Sequence, residues 1–151
     1  MPSNVNFPLA AKRHWRDADL LESNGRAENA GQLYGFTAEC GVKTLLIALG
    51  YPCNPDGSPL KKKELPPGVP EIRTHIREIV AVIGDIQIYA AGRNGAKYTA
   101  MIPKITSFSD WLVEHRYWSD AAIPKSLPTW KAAAQEVMVM LEAASLDGVL
   151  I

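Results

Sequence analysis

The sequence predicts an all-α domain, a bundle of about five helices. Three observations predict it. Apolar residues recur at steps of three and four through most of the chain. Proline and glycine collect in the gaps between those stretches, and no repeat or low-complexity block interrupts the pattern. At 151 residues the chain is one domain's worth, long enough to bury a core without disulfides or metals.

The first helix is expected over residues 8 to 24. Pro8 suits a first turn, Leu9, Trp15, Ala18 and Leu21 fall on adjoining faces, and Asn24-Gly25 stops it. The second runs from Arg26 to Leu49, with Ala30, Leu33, Tyr34, Thr37, Ala38, Gly41, Leu45, Ala48 and Leu49 in helical spacing and Gly50-Tyr51-Pro52 as terminator. Its three internal glycines each cost about 1 kcal/mol against alanine in a helix interior. Gly31 and Gly35 share a face, which points to close approach of a neighbouring helix or a large ring, Trp15 being the natural candidate.

Residues 51 to 70 hold six prolines and the Lys61-Lys62-Lys63 run, and read as a long surface loop, mobile or functional. Helical spacing resumes from Pro70 to about Ile88 through Ile72, Ile76, Ile79, Val80 and Ile83. These residues also suit a strand, but the interspersed charges Glu71, Arg73, Arg77 and Glu78 fit a helix better. Gly92-Arg93-Asn94-Gly95 is a turn, and residues 96 to 106 fit a short helix ending near Pro103. Ser107 and Asp110 resemble a capping box, opening a helix through Asp120. Thr129 is then expected to cap a final helix that turns Trp130, Ala134, Val137, Leu141 and Ala144 inward.

Composition excludes several chemistries. Sixteen basic residues balance sixteen acidic ones, which argues against a strong electrostatic hold on nucleic acid, though a local basic groove remains open. Cys40 and Cys53 are the only cysteines and have no metal-ligand spacing, so neither metal nor cofactor is expected, and a reducing cytoplasm fits. His14 and Asp17, three apart, supply two ligands and not a site. The start lacks an apolar signal core and no apolar run approaches a bilayer span, so a soluble, cytoplasmic protein is the expectation. Phosphate-loop, hydrolase-elbow and zincin motifs are missing from the sequence.

At Asn29 to Gly50, NAGQLYGFTAECGVKTLLIALG, the chain resembles the second helix of HEPN-type domains, the matching positions being Ala30, Tyr34, Ala38, Glu39, Lys43, Leu46 and Gly50. His14-Trp15-Arg16-Asp17-Ala18 with Leu20-Leu21 is similar to the first helix of that family. Thr74-His75-Ile76 is similar to the segment opening its next helix, and Arg116-Tyr117 to a pair before its last. The resemblance touches most of residues 8 to 142 and implies a helical bundle. Ribonucleases of that family carry an arginine followed, after four to six residues, by a histidine. No arginine here precedes a histidine at that distance: Arg73 and His75 are separated by one residue, and His115-Arg116 is reversed. The non-catalytic members, which bind ligands or partner proteins and often dimerise, become the implied relatives.

The stretch SFSDWLVEHRYW, Ser107 to Trp118, has two readings. In one, Trp111 and Trp118 are core while Glu114 and Arg116 face water. In the other, His115, Arg116 and Tyr117 edge a cleft, where an arginine clamps an anion and a ring stacks a base. Glu39 and Lys43 stand at the spacing of an ion pair. A carboxylate in the middle of an apolar helix needs a partner, which could also be Arg116 or His75.

The resulting expectation is a non-catalytic binding or adaptor domain, a homodimer without metal or membrane association. It would recognise a nucleotide, an RNA or a partner protein through Glu39, His75, Arg116, Tyr117 and His115. The alternatives are a divergent metal-independent ribonuclease of a toxin-antitoxin or defence system, or a purely structural interaction protein. In the ribonuclease reading His75 or His115 is the base and Arg116 stabilises developing charge.

Overall fold

The computed structural model describes residues 4–150. Helix α1 spans Phe7–Ser23; Asn6 caps it through Oδ1, which accepts the Leu9 N–H at 3.0 Å, and Pro8 sits in its first turn. Three residues later α2, Ala27–Ala48, returns along α1. So short a connection leaves the two helices antiparallel. The final helix α6, Leu127–Leu146, packs against α2 as well. Between them lie α3 (Ile76–Ala81), α4 (Ile83–Ala91) and the single-turn α5 (Ala96–Thr99). The all-α bundle is therefore what forms, and the only β feature among the described residues is an isolated bridge between Cys53 and Pro59.

Helix α2 is the spine. Every residue from Ala30 to Leu46 except Leu33 and Phe36 is buried, as expected of a helix enclosed on nearly every side. Its glycines admit bulk from neighbours. A Cβ on Gly35 would sit 2.2 Å from the Trp111 indole, and one on Gly41 would sit 2.1 Å from Val137. The rings on the glycine face are thus Trp111 at Gly35 and Trp130 at Gly31, not Trp15. Trp15 instead stands edge-on to Tyr34 at 5.4 Å. Tyr34 donates its hydroxyl to Glu22, which also receives Lys131 at 2.8 Å, so one polar link joins α1, α2 and α6.

Three predicted boundaries are corrected. The segment after Pro70 stays non-helical until His75, which is extended (φ −91°, ψ 170°), and the helical stretch breaks at Val82 into α3 and α4. Buried Ile72 and the Tyr51 hydroxyl, which donates to the Pro70 carbonyl at 2.6 Å, hold this segment as the end of the long loop. A crowded run of β-branched residues followed by Gly84 weakens the helix at Val82.

Residues 107 to 120 are not one α-helix. Short 3₁₀ segments at Pro103–Asp110 and Val113–Tyr117 flank extended Trp111 and Leu112. Extension there sends Trp111 into the space over Gly35, where its indole donates to the Gly31 carbonyl at 3.2 Å. Asp110 does not cap a helix: it accepts from the Trp130 indole at 2.8 Å and from the Ser126 hydroxyl. Finally, α6 begins at Leu127 with Ser126 as its first flanking residue, so Pro128 lies inside the first turn, where a missing N–H costs nothing. Thr129 donates back to the Ser126 carbonyl at 2.8 Å.

Candidate functional site

Gln32, Phe36, Glu39 and Lys43 follow one another at steps of four, three and four, and so lie along one stripe of α2. Glu39 and Lys43 are only 7% and 6% exposed, so a carboxyl group and an amine are withdrawn from water together. Each therefore needs a partner, and the Lys43 ammonium donates to Glu39 Oε2 at 2.9 Å. The second carboxylate oxygen, Oε1, lies 3.0 Å from His75 Nδ1.

His75 reaches Glu39 because it is the extended residue just before α3, where α3 meets α2. A carboxylate accepts only, so His75 Nδ1 carries the proton of this bond and Nε2 points away from Glu39. The hydrogen bond from Glu39 raises the His75 pKa above its ordinary value, outweighing partial burial; Lys43 opposes the rise and Glu78 adds to it. The His75 side chain is 46% exposed, so Nε2 belongs to a group that meets solvent.

Three further rings complete the cluster. Phe36 lies 6.0 Å from the His75 ring, 5.6 Å from His14 on α1 and 5.4 Å from Trp111, centre to centre. The His14 pKa is lowered, first by burial and then by Arg13 beside it, while Asp17 and Glu39 pull the other way. Glu39 is thus one carboxylate facing three basic groups, contributed by α1, α2 and the start of α3. Lys43 also stands 5.4 Å from the Phe7 ring.

The five residues singled out from sequence divide into two groups. Glu39 and His75 meet. His115, Arg116 and Tyr117 belong to the 3₁₀ segment beyond Trp111 and make no hydrogen bond or ion pair with that pair among the described residues. His115 is buried: its Nδ1 accepts the Leu112 N–H at 3.4 Å, its ring stands edge-on to Trp118 at 4.7 Å, and burial lowers its pKa. Arg116 and Tyr117 face solvent, Tyr117 being 76% exposed, with the guanidinium 4.9 Å from the Tyr117 ring. The segment is joined to the stripe by Gln32, whose amide donates to the Leu112 carbonyl at 3.2 Å. Gln32 and Glu39 are seven residues, about 10 Å, apart on α2, so both groups lie along one side of that helix.

His14, Phe36 and Trp111 are the members that sequence reasoning did not place in the site. For Phe36 the signal was the four-three-four stripe itself, one ring set between Gln32, Glu39 and Lys43 on α2; His14 and Trp111, on other segments, gave none. Cys40 stands apart from this chemistry, since burial, with Glu39 adding, pushes its thiol up to about 12. Fold and site together define an all-α domain with a buried carboxylate that positions one solvent-facing imidazole. No family model, curated protein or solved structure matches this chain.

The exposed group also carries a stability prediction. Arg116→Ala and Tyr117→Ala, singly, are expected to change unfolding free energy by no more than about 0.5 kcal/mol, since both side chains face water. Urea titration of each variant checks this; a loss well above that figure would place them in the folded framework instead.

Proposed function

We propose that this chain is a binding or adaptor domain, acting as a homodimer, whose ligand meets the Phe36–Glu39–Lys43 side of α2. The observation that carries the reading is Glu39 held between Lys43 and His75, which fixes the imidazole by Nδ1 and leaves Nε2 uncommitted on a half-exposed side chain. Arg116 and Tyr117 supply a second, exposed edge on the same side of α2, suited to an anionic or flat aromatic group.

The same imidazole favours one alternative, a divergent ribonuclease with His75 as general base. Such an enzyme also needs a group to stabilise the developing phosphorane charge. Arg116, the sequence candidate for that role, is paired with Tyr117 and not with His75.

Incubation of the purified protein with a mixed single-stranded RNA pool and with labelled nucleotides tests the reading. The expected result is no cleavage by folded wild type, and retention of one of these ligands that His75→Ala reduces at least tenfold. Cleavage abolished by His75→Ala would overturn the binding reading in favour of the ribonuclease. No retention and no cleavage would overturn RNA and nucleotide as ligands and leave a partner protein or a purely structural role.

A further inference from the structure

We infer that His75, backed by Glu39 and neighboured by His14 across Phe36, is the contact point for a phosphate-type oxyanion, and that binding this anion is coupled to uptake of one proton by His75. The inference rests on the reading above that this side of α2 meets a ligand, and it names the ligand's chemistry.

Charge accounting carries it. Glu39 has one negative charge and already meets the Lys43 ammonium at 2.9 Å, so that buried pair is neutral as a unit. A proton added to His75 is therefore not cancelled by Glu39 as it would be in an isolated pair. It leaves one net positive charge at the surface, on a ring whose Nδ1–H is committed to Glu39. The only remaining donor is Nε2–H, on a side chain that is 46% exposed. An acceptor-only group with negative charge matches that donor, and phosphate oxygens match it well.

The other charged groups nearby do not replace that anion. Glu78, on α3, offsets part of the His75 charge through space but makes no ion pair or hydrogen bond with His75 among the described residues. Arg77 is turned to the Ser109 carbonyl at 3.3 Å. From α1, Arg13 and Asp17 act on His14 in opposite senses, and burial, the largest effect, disfavours its proton. His14 thus stands beside the site as a neutral hydrogen-bonding ring near neutral pH, while His75 takes the charge. Because the chain carries no net charge, attraction of an anion here is a property of this point and not of a basic field.

Histidine proton resonances followed through a pH titration test the inference, without anion, with inorganic phosphate and with adenosine 5′-monophosphate, at matched ionic strength in chloride. The His75 midpoint is expected to move upward with phosphate or the nucleotide, and that of buried His115 to stay put. Apparent affinity should then fall by up to about tenfold per pH unit above the His75 midpoint. A larger shift with the nucleotide would assign the anion to a nucleotide phosphate, an equal shift to free phosphate; either supports the inference. An unmoved His75, or equal shifts in chloride alone, would overturn it.

His75→Gln, at a half-exposed position, keeps the fold measurable. In that variant, protein-induced broadening of the phosphate phosphorus line should disappear, and its persistence would also overturn the inference. If His75 does not move while His75→Ala still releases RNA or nucleotide, only the phosphate contact fails. If RNA is cleaved and His75 still moves with phosphate, only the binding reading fails.

Discussion

Gly35→Ala is expected to cost at least about 3 kcal/mol of unfolding free energy, near the upper end of what overpacking a core does. In an exposed helix the same change would gain up to about 1 kcal/mol. Here the added methyl would stand 2.2 Å from the Trp111 indole carbon and nitrogen, closer than any real contact. The ring cannot retreat cheaply. It is fully buried, Phe36 stands edge-on to it at 5.4 Å, and its N–H is spent on the Gly31 carbonyl. Moving it would leave that indole N–H unpaired inside the protein. Gly84→Ala in α4 is the matched control, because a Cβ there meets nothing within 4 Å. It should stabilise by about 0.5–1 kcal/mol. Urea unfolding of both variants decides the matter, and a Gly35→Ala protein as stable as wild type would refute the packing argument.

Glu39→Gln is expected to cost about 3 kcal/mol, the usual consequence of breaking a buried ion pair from one side. It strands the Lys43 ammonium, which is as buried as its partner and has no other ion-pair partner among the described residues. The loss should also depend on pH. His75 is held above its ordinary value of 6.5 by Glu39, so its contribution to stability is full below that value and disappears as pH rises through the folded pKa. His14 and His115 are held below 6.5, so theirs is present above that value and is lost as pH falls through their folded pKa. Glu39→Gln removes the stabilisation that His75 supplies on acidification and leaves the destabilisation due to the other two. The difference from wild type should therefore be larger near pH 6 than near pH 8 (values about one proton-binding range either side of neutrality). Denaturant titration at both pH values measures it; a penalty independent of pH would sever His75 from Glu39 energetically.

What the sequence made legible follows from range. α1, α2 and α6 declare themselves because their periodicity lies within the helix itself, although the cap expected at Thr129 does not form. The Glu39–Lys43 pair is legible for the same reason, being one turn apart. That Glu39 needed a further partner could be argued from burial alone. The choice between His75 and Arg116 could not, since the long loop hides where the chain re-enters beside α2. Residues 107 to 118 were misread for a related cause. Ser107 and Asp110 look like a cap, but the Ser107 carbonyl and the Asp110 carboxylate accept from Trp130, twenty or more residues ahead, and Trp111 is drawn to a glycine seventy-six residues behind it. Local propensity loses there to a buried indole.

The enclosure of α2 has a consequence for recognition. The helix that carries Phe36, Glu39 and Lys43 along one stripe carries Gly35 and Gly41 against Trp111 and Val137. Site and interior share one backbone, locked by rings pressed onto bare Cα positions. On the proposed binding reading, a ligand at this face would find its docking groups already spaced. Little motional freedom is left to lose on the α2 side, and the His75 ring, pinned at one nitrogen, has only its outer edge still to order.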